Sequence, residues 1–88
     1  MEAIYNILVI DNDAFMREAC HQTLTKHGHS VILAKSGHEG LSLLKKWSFD
    51  LILLEMRLPG EDGLLVLAKI KDLEPEVIVV MISEDGSI

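Results

Sequence analysis

The chain has 88 residues, of which 49% are hydrophobic and 25% charged, with six glycines and two prolines, a profile of one small packed domain that excludes a disordered or collagen-like chain. Fourteen acidic residues against eight lysines and arginines leave a formal net charge of −6, and Lys45-Lys46 is the only adjacent basic pair, so nucleic acid is not expected as a direct partner. The longest apolar run falls far short of the roughly 20 residues of a membrane span, the start lacks a basic n-region, and the single Cys20 excludes an internal disulfide framework; a soluble, unsecreted protein of a reducing compartment is expected.

Four short apolar runs alternate with amphipathic stretches, without internal repeat, low-complexity tract or linker. After the first run, Ile7 to Ile10, Met16, Cys20 and Leu24 recur every four residues with Ala19 beside them, which predicts a first helix ending at Gly28. The second run, Val31 to Leu33, leads to a helix start at Ser36-Gly37; Leu41 and Leu44 give the second helix its inward face before Trp47, and Lys45 and Lys46 suit its negative end. The third run, Phe49 to Leu54, precedes a Pro59-Gly60 turn and an Asp62 cap. The third helix is expected to turn Leu64, Leu67, Ala68 and Ile70 inward, with Leu65 and Val66 widening the stripe towards a partner, before Pro75 bars continuation. Val77 to Ile82 is the fourth and most apolar run. Continuous rather than alternating runs predict strands covered on both faces, and the order βαβαβαβ with right-handed crossovers predicts an open, parallel α/β sheet.

The ligand crevice of such a sheet lies beyond the carboxyl ends of its strands. Asp11-Asn12-Asp13 follow the first run, Glu55 the third, and Ser83-Glu84-Asp85 the fourth. Carboxylates, an amide and a hydroxyl converging from separate stretches suit a magnesium ion, which prefers oxygen ligands and brings its own waters. Such an ion offsets the charge of an incoming phosphoryl group while a carboxylate attacks it. Asp13 by itself reads as the cap of the first helix. His21, His27, His29 and His38 read as solvent-facing histidines, and Cys20 as a small core residue rather than a nucleophile.

Ile7-Leu8-Val9-Ile10-Asp11-Asn12-Asp13, the stretch from Asp50 through Glu55-Met56-Arg57 to Leu58-Pro59-Gly60-Glu61-Asp62-Gly63, and Val79-Val80-Met81-Ile82-Ser83 together resemble the receiver domain of bacterial two-component response regulators, in register over all 88 residues. The resemblance implies a flavodoxin-like sheet of strand order 2-1-3-4-5, a histidine kinase as phosphodonor, an effector domain as output and the bacterial cytoplasm as location. Matched by position, it implies Asp11 and Asn12 at the acidic pair that holds magnesium, Glu55 at the phospho-accepting aspartate, Arg57 as the residue whose backbone carbonyl ligates the metal, and Ser83 at the switch hydroxyl.

Four departures from that pattern shape the expected function. Asn12 removes a charge where the family has an acid, so magnesium is expected to bind weakly. Glu55 adds a methylene where the nucleophile should be, and a misplacement of about 1 Å costs on the order of 100-fold in an aligned displacement; a poor phospho-acceptor or an imitation of the phosphorylated state is expected. Glu84 stands where receivers carry a small residue and makes the crevice more acidic. Finally, Gly86-Ser87-Ile88 reads as a helix start at which the chain stops, so a partial fold lacking the last helix-strand-helix, and with it the family's phosphate-contacting lysine, is expected. The fourth strand would then be an apolar edge with one sheet face covered by the first helix alone, which predicts self-association as a dimer or by exchange of elements. The expected function is that of a truncated signalling receiver, phosphorylation-incompetent or phosphomimetic, acting by association rather than as an enzyme. The alternative is a haloacid-dehalogenase-like phosphohydrolase fragment with Asp11 as nucleophile and Asp13 as acid/base, in which Phe15 replaces the usual Thr or Val.

Overall fold

The computed structural model describes residues 3–83, so Glu84, Asp85 and the Gly86-Ser87-Ile88 ending lie outside the described residues. The apolar runs form β1 (Asn6–Ile10), β2 (Ser30–Ala34), β3 (Leu51–Glu55) and β4 (Ile78–Ile82), and the stretches between them form α1 (Ala14–Lys26), α2 (Gly37–Leu44) and α3 (Gly63–Leu73). All strand pairs are parallel, in the order β2-β1-β3-β4. This is the flavodoxin-like arrangement expected from the sequence.

Register assigns the two faces. Ile7 to Ile10 pair with Val31 to Ala34 on one side and with Leu51 to Leu54 on the other. Side chains alternate across a strand, so Leu8, Ile10, Ala34, Ile52 and Leu54 share one face. There they join Leu44 of α2, Val66 and Ile70 of α3, and Leu58, Phe49 and Val77 from the connections in one buried cluster, with Ile32, Leu41, Leu67, Val79 and Met81 packed against it. The opposite face carries Ile7 and Val9, both buried, and α1 packs there against β2 and β1. Towards β4 that face opens to solvent: Ile78 is 64% and Val80 42% exposed.

Local chemistry sets the element ends. Asp13 caps α1, its carboxylate accepting from the Phe15 N–H at 2.9 Å, and α1 closes where the chain turns at Gly28. Ser36 caps α2 by accepting from the Glu39 N–H at 3.0 Å. Asp62 caps α3, accepting from the Leu64 N–H at 2.9 Å. Beyond α3 the Lys71 ammonium donates to the carbonyls of Pro75 at 2.8 Å and Val77 at 2.6 Å, tying the helix to the start of β4.

Several sequence expectations shift by a residue or a helical phase. Phe49 and Val77 are buried, but they precede β3 and β4 instead of opening them. The third helix turns Gly63, Val66 and Ile70 inward, spaced three and four apart, with Leu67 beside them. Leu64 is 66% and Leu65 53% exposed, and Ala68 also faces solvent. The phase is fixed by Gly63, whose bare Cα sits against the Met56 carbonyl, so that Val66 rather than Leu64 meets the sheet. On α1, Met16, Cys20 and Leu24 face the sheet as expected but stay half-buried, while Ala19 is exposed. His27 and His38 are exposed, whereas His21 is half-buried and half-buried His29 stacks on Tyr5 at 5.4 Å.

The observed phase of α3 makes a direct prediction. Ile70→Ala should lower the unfolding free energy by about 2–5 kcal/mol, whereas Leu64→Ala should change it by no more than about 0.5 kcal/mol. Urea unfolding followed by circular dichroism compares the two.

Candidate functional site

The parallel register that sets Ile10 beside Leu54 carries the next residues, Asp11 and Glu55, to neighbouring positions at the carboxyl ends of β1 and β3. Both are buried, Asp11 at 0% and Glu55 at 1% exposure. Their surroundings are alike. Asp11 Oδ1 accepts from the Asp13 N–H at 2.9 Å, and Glu55 Oε1 accepts from the Arg57 N–H at 3.0 Å. Each carboxylate thus folds back onto the main chain two residues ahead with one oxygen. The other oxygens, Asp11 Oδ2 and Glu55 Oε2, are buried and have no hydrogen-bond partner among the described residues.

Main-chain bonds hold both residues in place. The Asp11 N–H donates to the Ala34 carbonyl at 3.0 Å, and the Met56 N–H donates to the Ile82 carbonyl at 2.8 Å. Glu55 is also in register with Ile82, which puts Ser83 immediately past the same line of strand ends. Ser83 and Arg57 are exposed, and so is Asn12. Asp13 is half-buried and its side chain is committed to the α1 cap. The structure therefore brings Asp11 and Glu55 to neighbouring strand ends as buried residues, with Asn12 and Arg57 exposed just beyond them in the chain and Ser83 exposed just past β4.

Two buried carboxylate oxygens with open lone pairs form an uncompensated site. An unpaired buried acceptor costs about 1–3 kcal/mol, and more when it is charged. A hard divalent cation is the ligand class that removes this cost, because it takes oxygen donors and is commonly held by one or two carboxylates with waters. Among the described residues no group of three or more His, Cys, Asp or Glu converges, so further ligands would come from the Asn12 amide, a main-chain carbonyl or water.

Two residues that the sequence pattern did not single out belong to this edge. Arg17, half-buried on α1, donates from Nη1 to the Asp11 carbonyl at 2.7 Å, placing a cation behind the acidic floor. Its sequence signal is position alone, one helical turn after the Asp13 cap. Glu61 reaches from the β3–α3 loop to the main chain at the start of α2, a contact across 24 residues for which no local pattern gives a sign.

The family model described as the response regulator receiver domain matches residues 7–88. The chain is 36% identical over 83 residues to the transcriptional regulatory protein AfsQ1 of Streptomyces coelicolor, covering 94% of this chain and 37% of that protein. It superposes on the crystal structure of NtrX from Brucella abortus with a TM-score of 0.90 at 32% identity, covering 96% of this chain and 20% of that one. It superposes equally, with a TM-score of 0.90 at 28% identity, on a CheY-like receiver domain protein from Methanospirillum hungatei, covering 98% of this chain and 69% of that one. The chain thus spans 37% of AfsQ1 and 20% of NtrX. Nothing in these matches supports the phosphohydrolase alternative, and the general acid it requires, Asp13, is occupied as a helix cap. No helix among the described residues is long and apolar enough to cross a membrane.

The buried pair sets the sign of one substitution. Asp11→Asn keeps an acceptor for the Asp13 N–H and removes one of two neighbouring buried carboxylates. In chelator it should raise stability by about 1 kcal/mol and the melting temperature by roughly 4–8 °C. Differential scanning calorimetry tests this, and a lowered melting temperature would show that the carboxylate is compensated in the folded chain.

Proposed function

The chain belongs to the response regulator receiver domain family, and on that premise we propose that it is a signalling module that works through association with other proteins and is incompetent in phosphotransfer. The observation that carries this reading is the state of Glu55 at the phospho-acceptor position. Glu55 is 1% exposed and its carboxylate is bent onto the Arg57 N–H, so it is not presented to a phosphodonor. The added methylene compounds this, since an offset of about 1 Å costs on the order of 100-fold in an in-line displacement. The same carboxylate places one negative charge at the strand end, a partial imitation of a phosphorylated acceptor, which would carry nearly two.

Receiver domains commonly bind Mg2+ at the acceptor site. In this chain the open oxygens of Asp11 and Glu55 fit such an ion, and the Asn12 amide and the Arg57 carbonyl would complete the protein's share. When bound, the ion supplies positive charge that offsets the two carboxylates. Asp11 and Glu55 orient their open oxygens by anchoring the other oxygen on main-chain N–H groups, and Arg17 fixes the Asp11 carbonyl. Asn12 contributes no charge, which makes the site weak. Ser83 occupies the switch-hydroxyl position at the end of β4.

The association surface on this reading is the β4 edge with the adjoining open face of Ile78, Val80, Leu51 and Leu53, and its occupant is a second copy of the chain. Apolar edge strands without lysine, proline or bulge recruit partners through unpaired main-chain groups. A histidine kinase and an effector domain are the partners that family membership brings with it, and the bacterial cytoplasm is the place of action.

Incubation with acetyl phosphate and Mg2+ should leave the intact mass of the chain unchanged, and Glu55→Asp alone should not restore labelling; the gain of one phosphoryl mass by the parent chain refutes phosphotransfer incompetence. Light scattering on a sizing column over a dilution series should show a discrete dimer at micromolar concentration, and a monodisperse monomer refutes self-association.

A further inference from the structure

The loop from Met56 to Asp62 starts at the buried Glu55 and ends at α3, and carboxylates grip it at both ends. At its start Glu55 Oε1 accepts from the Arg57 N–H at 3.0 Å. Buried Leu58 then anchors it to the core. Leu58-Pro59-Gly60-Glu61 makes a turn closed by the Glu61 N–H on the Leu58 carbonyl at 3.0 Å, with Gly60 at φ +73°. Proline second and a left-handed glycine third are what a type II turn requires.

That turn delivers the Glu61 carboxylate to a different element. Its Oε1 accepts from the Gly37 N–H at 2.8 Å and its Oε2 from the His38 N–H at 2.9 Å. These are the first two amides of α2, which have no partner within the helix and lie at its positive end. Ser36 serves only the next two: its Oγ accepts from Glu39 and its carbonyl from Gly40, each at 3.0 Å. The α2 terminus is therefore completed by a carboxylate from the loop that follows the acceptor position. Gly37 makes room for it, since a Cβ there would stand 2.9 Å from Glu61 Oε2 and 2.7 Å from Val66 Cγ2.

We infer that Glu61 is a positioning residue of the strand-end site: by clamping the far end of the loop to α2, it fixes the main chain at Arg57 and so the orientation of the Glu55 carboxylate bound to it. A helix cap alone would need only the α2 end of this arrangement. The loop links the two ends through a buried leucine and a closed turn, so a break at Glu61 is felt at the Arg57 N–H. The cation-binding consequence rests on the reading of Asp11 and Glu55 as a metal site, and the clamp itself does not.

The test is amide hydrogen exchange by NMR on the labelled 88-residue chain, parent against Glu61→Gln and Glu61→Asp. The glutamine has the length but not the charge or the second oxygen, and the aspartate has the charge but not the reach. In chelator, both variants should exchange the Gly37 and His38 amides faster by about tenfold or more, and the Arg57 amide with them, while Leu8 and Ile52 keep parental protection and report an intact core. Fast exchange at Gly37 and His38 with parental exchange at Arg57 makes Glu61 a helix cap only and overturns the inference. Parental exchange at all three amides overturns it as well. A Mg2+ titration of the same amide shifts should show the variants binding about fivefold more weakly than the parent, and equal affinities overturn the link between clamp and site. If the parent itself shows no Mg2+-dependent shifts, the metal reading fails, and the exchange at Arg57 still decides the clamp.

Discussion

The ladder that pairs β1 with β2 on one edge and with β3 on the other is the constraint from which the rest of this domain follows. Leu8, Val9 and Ile10 are wholly buried because β1 has strands on both sides and helices on both faces. A slip of one residue in either pairing would turn Leu8 and Ile10 away from the α2–α3 cluster and put Val9 into it. Register is consequently held by the core and not by the crevice. Yet the same register brings Asp11 and Glu55 to neighbouring strand ends, so the place of the candidate site is a by-product of packing elsewhere.

The two carboxylates oppose that packing. Each is stripped of water, each settles one oxygen on a nearby N–H, and each keeps the other open. A buried charge without a partner is a net liability that well-packed neutral residues would remove. The candidate site and stability therefore pull in opposite directions at this edge, and stability is recovered at the preceding residues, Ile10 and Leu54, which are fully buried. Arg17 helps from behind by binding the Asp11 carbonyl, which adds positive charge near the floor without closing either open oxygen.

Much of this was legible in the residues because it is local. Continuous apolar runs marked the strands to within about two residues, and Asp13, Ser36 and Asp62 capped the helices they precede. Asp11 and Glu55 were identifiable as soon as the runs were read as strands, since the residue after such a run has one place to go. What escaped reading depends on partners distant in the chain. The phase of α3 is set by the contact of Gly63 with the Met56 carbonyl, which hydrophobicity does not encode, so the sequence pattern turns Leu64 inward and Val66 towards a partner, the reverse of their places in the fold. His29 is held by Tyr5, whose N–H donates to its Nδ1 at 3.1 Å from 24 residues away. Glu61 sat inside a turn motif that explained its neighbours and disguised its own role.

The first helix has a consequence of its own. No residue of α1 is fully buried, and its sheet-facing side chains Met16, Cys20 and Leu24 are only half-covered, whereas α2 and α3 share a closed core with the sheet. Cohesion across the molecule is therefore graded, with α1 the lightest fastened of its helices and the natural first unit to open by itself. An opening of α1 would bare Ile7 and Val9 on the back of β1 and would carry away the Arg17 guanidinium that binds the Asp11 carbonyl. Through Arg17 the most lightly covered helix is tied directly to the strand end that carries Asp11.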